Sequence, residues 1–421
     1  ALSIAPDGED KGRSVDIGRS TDSLELDAPE LLAGRAEAEV ARIVVHDGQR
    51  ELAGRSNPSL LRSDGYLLFW GDLHGQSQYH NWNPQEQVGI SCNTPEACHR
   101  YARDIAGLDF CAVTDTASIT QDIWADSIDA AQRCNEPGRF VTFQGSEVGD
   151  DTNGHRNALF CGDESEPRVE ITEYAATGNT VLDLQTPRMQ KRYAGRDDVI
   201  LVPHHTKMWA DWACHAPALE PVQEIYSIWG SCEKAGTDQW EILREMTGGA
   251  QEAWARGYRI GVIAGSDTHT GMPGRSLAES DRDDFMIYKA GYAAVWAEQL
   301  TRQSIFDALK ARRCYGTTGE RIILETMLDG RPMGSEVPWS DPQRARSYQV
   351  RVWGTDVLDS ITVVKNNIDV YVADATSDHA AFEWSDPEPA KDGDYCYVRV
   401  IQRDGNRAWS SPTWVWGVGS G

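Results

Sequence analysis

Short apolar runs alternate along much of this chain with stretches of helical spacing, and each run stops at a polar cluster. Residues 66–70, 110–114, 140–143, 199–202 and 260–264 are each largely apolar over four or five positions. Runs of that length without in–out alternation are the pattern of parallel strands buried on both faces. Thr94-Pro95-Glu96 supplies an N-cap followed by proline at the first helical position, which predicts a helix to about residue 105 and a strand over 108–114. Thr120, with Asp122 in its first turn, opens a second helix to about residue 134, where Pro137-Gly138 breaks it. The alternation continues through a strand at 157–161, a helix near 181–193, strands at 199–203 and 222–228, and a helix near 237–255. Strands at 258–264 and 292–297 and a helix over 301–312 complete it. Strand and helix in turn, with short links, predict an α/β fold, either a βα barrel or a doubly wound sheet.

Beyond residue 320 the texture changes. Alternating stretches at 348–353, 361–364 and 395–401 are separated by Gly, Pro, Asp and Asn, with no helical period, which predicts an all-β, sandwich-like module over 321–421. Residues 1–30 are acidic and without period and are expected to form a loose arm, followed by a strand or two within the first 60 residues. The expected organisation is therefore an arm with short strands (1–60), a main α/β domain (61–320) and a β module (321–421).

The polar clusters that end the apolar runs are rich in metal-type donors. They are Asp72 and His74, Asp115, Glu147, His155, His204 with His205, and Asp267 with His269. The carboxyl ends of strands are where βα barrels keep their chemistry, and donors from at least five strands favour the barrel over a doubly wound sheet with one crevice. Any one such residue is more often a cap or loop hydrogen bonder. As a set, imidazoles and carboxylates from separate strand ends can converge on divalent ions, and mixed N/O donors suit Zn, Mn or Fe. Glu147 can bridge two ions through its two oxygens. His205 follows His204 directly, so in a continuing strand it faces the opposite side, as a core or substrate-contact residue. Arg156, Lys207 and Arg275 flank these segments and can hold an anionic group. Among fifteen tryptophans, Trp82, Trp124, Trp209, Trp212 and Trp229 lie beyond the expected ligand strands, either walling a pocket for an aromatic or sugar-like substrate or packing in the core.

Composition narrows the partners. A net charge of −25 over 421 residues disfavours nucleic acid, since no excess of Lys and Arg exists to displace counterions from phosphates. A small anionic substrate remains compatible, because a bound cation inverts the local field. No apolar stretch is long enough for a membrane span. The nine cysteines form no CxxC pair and are expected to be reduced thiols, which leans toward a cytoplasmic setting. The polar first 23 residues after Ala1 lead to the expectation that any targeting peptide has been removed, which keeps a periplasmic setting open. Oligomeric state is not legible.

Taken in order, Gly71-Asp72-Leu73-His74, Ala112-Val113-Thr114-Asp115, Glu147, His155, His204 and Asp267-Thr268-His269 resemble the metal motifs of the polymerase-and-histidinol-phosphatase (PHP) superfamily. The similarity is closer to an uncharacterised bacterial branch with Gly-Asp-Leu-His-Gly-Gln, His-Arg-Asn, Gly-Ser-Asp-Thr-His-Thr-Gly and a tail Ala-Trp-Ser-Ser-Pro, here 408–412. It extends over roughly residues 55–415. The resemblance implies a distorted PHP-type (β/α)7 barrel and two or three divalent metals used for hydrolysis, most often of phosphoesters. It implies one ion held by His74, Glu147 and Asp267 and a second held by Glu147, His155 and His204. The family pattern has His-x-His and Thr-Asp-His where this chain has Gln76 and Thr116. Gln76 is then a weaker, neutral oxygen donor, and a third ion relying on position 116 and His269 loses part of its cage, for which His80 can compensate. Two ions with a weak third site are expected. Asp115 and Asp72 are expected to orient ligating imidazoles or water, with His269 and Arg156 nearby in the chemistry. The same metals can also serve hydrolysis or elimination at a C–N, C–O or lactone bond, and a degenerate barrel with a binding role is the non-enzymatic alternative.

Overall fold

The computed structural model describes residues 2–6, 13–15, 39–46, 51–61, 65–80, 91–115, 121–150, 153–162, 185–237, 248–275, 288–339 and 341–417. The fold is mixed α/β and rich in sheet. Five N-terminal strands, β1 (Leu2–Pro6), β2 (Arg13–Val15), β3 (Glu39–His46), β4 (Glu51–Arg55) and β5 (Ser59–Leu61), form a small antiparallel sheet. Here β1 pairs with β2 and β3 where the sequence suggests a loose arm, because the partners are too short and too far apart in sequence to show as a pattern.

The main domain follows with β6 (Leu67–Gly75), α1 (Pro95–Asp104), β7 (Phe110–Val113), α2 (Gln121–Cys134), β8 (Val141–Val148), β9 (Arg156–Phe160), α3 (Gln185–Tyr193) and β10 (Val199–Pro203). It continues with α4 (Thr206–Trp209), β11 (Val222–Ser227), β12 (Gly230–Ser231), α5 (Ala250–Ala255), β13 (Gly261–Ala264), β14 (Tyr292–Ala297), α6 (Arg302–Lys310) and β15 (Cys314–Thr317). The helix starts obey their signals: Thr94 and Thr301 cap α1 and α6 by accepting from the backbone N–H three residues on. The helix expected near 237–255 is described only at its end, as α5, because residues 238–247 lie outside the described residues.

Strands β6, β7 and β8 are parallel neighbours, as the double-sided burial of their apolar runs requires. By contrast, β9 returns antiparallel to β8 and β10 antiparallel to β9. The link from Val148 to Arg156 is too short for a crossover, so an antiparallel return is the available geometry. Strands β11 and β13 form a separate parallel pair. Single contacts join that pair to the larger sheet: Leu201 donates to the Leu219 carbonyl at 2.7 Å, and Asp267 donates to the His74 carbonyl at 2.9 Å. Among the described residues the ladders do not themselves close into a (β/α)7 ring.

The C-terminal strands are β16 (Ile323–Leu328), β17 (Arg331–Pro332), β18 (Glu336–Trp339), β19 (Arg346–Trp353), β20 (Leu358–Lys365), β21 (Ile368–Asp374), β22 (His379–Asp386), β23 (Tyr395–Gln402), β24 (Arg407–Ser410) and β25 (Thr413–Gly417). The region is all β, and Leu324, Tyr348, Val350, Val352, Ile361, Val363, Val398 and Val400 share its core. β24 pairs with β15, so the main-domain sheet runs into this region without a break. The tail motif at 408–412 makes the join polar as well as apolar: Trp409 Nε1 donates to Glu233 at 2.8 Å, and Ser411 Oγ accepts from the Val262 amide at 2.9 Å.

Candidate metal centre

The ends of β6, β8, β10 and β13 and the start of β9 deliver one cluster of buried donors. Glu147, near the end of β8, stands at its middle. Its Oε1 lies 3.3 Å from His204 Nε2 and 3.4 Å from His155 Nδ1. Its Oε2 accepts from Gln76 Nε2 at 3.1 Å and lies 3.7 Å from His80 Nδ1 and 3.8 Å from His74 Nε2. The two oxygens therefore face two different groups of donors.

On the second side, Asp267 Oδ1 lies 3.3 Å from His74 Nε2, accepts from Gln76 Nε2 at 3.0 Å, and is 3.7 Å from His269 Nε2. His74 Nδ1 is 2.9 Å from Glu224 Oε2. That contact points the other ring nitrogen, Nε2, at Asp267 and Glu147, the usual arrangement in which a carboxylate orients a ligating imidazole. Gly265 belongs to the same device. A Cβ there would collide with Glu224 and with the Cβ of His74, so only glycine lets the β13 backbone pass this close.

Donor spacing tests whether ions fit. Bonds of about 2.0–2.1 Å to one tetrahedral ion place neighbouring donors about 3.3–3.4 Å apart. His204 and His155 stand at that spacing from Glu147 Oε1, as His74 does from Asp267 Oδ1. Three sets of donors, Glu147–His155–His204, His74–Glu224–Asp267 and His74–His204–His205, offer atoms all within 4.8 Å of one another. Buried His74 Nε2, which faces Asp267 and Glu147, has no hydrogen-bond partner, as expected of an atom aimed at a cation. The residues present fit divalent metal.

Protonation agrees. Burial holds His204 and His80 down to about 4 and His205 well below its ordinary value, so these imidazoles are neutral, the form that ligates. Glu147 is buried, which alone would raise it, but the neighbouring imidazoles of His155, His204 and His74 hold it well below the carboxylate range. Asp267 is also lowered against its burial, chiefly by the charge of His74 and then by the bond from His269. His74 is the exception. Burial works against its charge, yet Asp267 and Glu224 outweigh it and raise the imidazole well above its usual value. Glu224 itself is pushed up to about 7 by burial.

The expected ligands His74, Gln76, Glu147, His155, His204, Asp267, His269 and His80 all converge here, with His80 and His269 facing each other at 5.3 Å between ring centroids. Thr116 lies outside the described residues. His205 corrects the reading from strand alternation. Its φ of 35° breaks the extended chain after β10 and swings the ring back, so that Nε2 lies 2.6 Å from Asp267 Oδ2. Glu224 is the participant that the sequence reading missed. Its only signal is a carboxylate inside the expected strand 222–228, a costly place for a buried charge without a partner.

Several expected helpers are employed elsewhere. Asp72 accepts from three backbone amides, His74 and Ser266 at 3.0 Å and Gly274 at 2.8 Å, and so ties β6 to the β13 loop. Asp115 takes the Ser77 amide at 2.7 Å and hydroxyl at 2.6 Å, fixing the turn that carries Gln76. Burial raises Asp115 to about 6. Arg156 is fully buried and pairs with Glu220 at 3.0 Å instead of facing the cluster. Lys207 donates to the Trp229 carbonyl at 2.6 Å. Arg275 makes no hydrogen bond or ion pair to the cluster among the described residues. Trp124 and Trp212 are core residues, whereas Trp229 packs 5.4 Å from the His205 ring. Trp82 and the Trp209 side chain lie outside the described residues.

All nine cysteines are free thiols. Among the described residues no helix is long and apolar enough to cross a membrane.

The chain is similar to several known proteins. A family of proteins of unknown function, DUF3604, matches residues 76–210 and 276–330, which include Gln76, Glu147, His155, His204 and His205. Uncharacterised proteins of Chlamydia pneumoniae and Chlamydia trachomatis are each 28% identical over 83% of this chain, and one of Chlamydia muridarum is 27% identical over the same share. This chain spans 57% of the length of each. A solved two-domain protein from Bacteroides vulgatus, described as containing a predicted PHP-like metal-dependent phosphoesterase, aligns over 85% of this chain and 97% of its own, at 14% identity and a TM-score of 0.40.

Proposed function

We propose that the chain is a PHP-like metal-dependent hydrolase whose strands approximate a distorted seven-stranded barrel, and that it cleaves a phosphoester of a small molecule. The observation that carries the reading is Glu147, whose Oε1 serves His155 and His204 while its Oε2 faces His74, Gln76 and His80. A carboxylate disposed in this way could serve two ions. Zn, Mn or Fe held there would supply Lewis-acid polarisation of the substrate and acidification of a water.

The chain's own residues do the remaining work. Glu147, His155 and His204 would hold one ion; His74, Asp267 and the Gln76 amide oxygen, with Glu147, would hold the other. Gln76 donates its NH2 to Glu147 and Asp267 in the protein alone, and a half-turn of the amide presents Oε1 instead. Glu224 keeps the His74 proton on Nδ1, so that Nε2 is available. His80 and His269, whose ring centroids are 5.3 Å apart, would serve the weak third site. Phosphoester is favoured over a C–N, C–O or lactone bond only by the resemblance of the motif set to the PHP superfamily.

The test is metal analysis of the full chain purified without chelator, followed by turnover of p-nitrophenyl phosphate, bis-p-nitrophenyl phosphate and p-nitrophenyl esters. Stoichiometric metal with phosphoester turnover is the expected result. Metal with turnover of carboxylic esters alone would move the reaction to the carbonyl class, and absence of both metal and turnover would leave the binding-protein reading.

A further inference from the structure

Two non-glycine residues of the centre sit in left-handed backbone, His205 at φ 35° and Asp267 at φ 54°, and their side chains meet. Such conformations are strained and persist where the surroundings over-determine them, often at functional sites. His205 is 5% exposed, and its ring packs between His204, at 4.3 Å, and Trp229, at 5.4 Å.

The distances separate the two oxygens of Asp267. Oδ1 is 3.3 Å from His74 Nε2, the spacing of two donors on one ion. Oδ2 is 2.6 Å from His205 Nε2, too close for donors sharing an ion and right for a charge-assisted hydrogen bond. We propose that His205 is a positioning residue: its Nε2–H holds Asp267 Oδ2 and leaves Oδ1 alone to share an ion with His74. This rests on the metal reading above and extends it to a residue outside the implied ligand set.

The arrangement explains why the chain turns sharply after Pro203. Continued strand would send His205 to the far side, and Asp267, itself on a strained loop residue, would lose the group that fixes its carboxylate plane. Glu224 does the same for His74 from the other direction. Both donors of the Asp267 side are thus oriented by a buried partner.

Zn(II) binding to the full chain tests the proposal, with stoichiometry from elemental analysis and affinities from chelator competition. His205→Met fills the volume without a donor, and His205→Gln returns an N–H near the position of Nε2. Removing an outer partner of a ligand costs about 10–100-fold in metal affinity, so His205→Met is expected to weaken one ion by that factor and His205→Gln to stay within about threefold of wild type. Thermal melts of both variants report whether the strained turn survives. Unchanged binding in His205→Met overturns the proposal. Loss of one whole ion in both variants also overturns it, by making the imidazole a ligand. Wild-type protein that takes up no Zn(II) overturns the metal reading itself, an outcome separate from either variant result.

Discussion

On the Oε1 side of Glu147 two imidazoles stand 3.3 and 3.4 Å away, whereas on the Oε2 side the nearest partner is an amide at 3.1 Å and the imidazoles are at 3.7 and 3.8 Å. The first side is a compact set of one carboxylate and two histidines. The second leans on a neutral donor, Gln76, and compensates with two outer supports, Glu224 behind His74 and His205 behind Asp267. On the metal reading proposed above, the centre would keep two sites of unequal strength. One would be made by ligands alone, and the other would depend on the groups that hold its ligands.

The change that should collapse both sides is Glu147→Gln. Removing the shared charge is expected to strip both ions and to lower turnover about a thousandfold or more, equivalent to about 4 kcal/mol of transition-state stabilisation. Elemental analysis and phosphoester turnover check it. His204→Ala is expected to remove one ion and leave the other, which would show that the sides fill separately; loss of both ions would merge them into one cooperative site. Glu224→Gln should weaken only the Asp267 side, by about 10–100-fold, seen as one shifted transition in chelator competition. Gln76→His is expected to act in the opposite direction, replacing the neutral oxygen by an imidazole and tightening that side about tenfold, or about 1.4 kcal/mol.

The smallest expected effect lies outside the ligands. The folded-state value of Asp115 is raised from 3.8 to about 6 by burial, so the native state binds its proton more tightly than the unfolded chain does. The contribution of this group to stability is then full below about pH 4 and is lost as pH rises through about 6. Asp115→Asn should remove that part of the pH dependence in denaturant melts. An unchanged profile would mean that the Ser77 bonds already offset the burial.

Much of this was legible in the sequence, for identifiable reasons. Donors that end apolar runs, such as His74, Glu147, His204 and Asp267, announce themselves as a set, because buried polar groups recurring at strand ends need partners. The helix caps Thr94 and Thr301 are equally local. What stayed hidden depends on non-local or single-residue geometry. The antiparallel return of β9 follows from a short link rather than from its composition, and the side taken by His205 is set by one dihedral. Glu224 reads as an interruption of a strand until His74, 150 positions away, is seen beside it. Arg156 shows the reverse error: its neighbour His155 is in the centre, but adjacent strand residues point oppositely, and the guanidinium goes to Glu220.

The central claim is that Glu147 bridges two divalent ions. The most direct measurement is the ion count of the full chain purified without chelator, set beside that of Glu147→Gln. Two ions per chain in the wild type and none in the variant are expected. Full metal content in Glu147→Gln, or no stoichiometric metal in the wild type, would contradict the account.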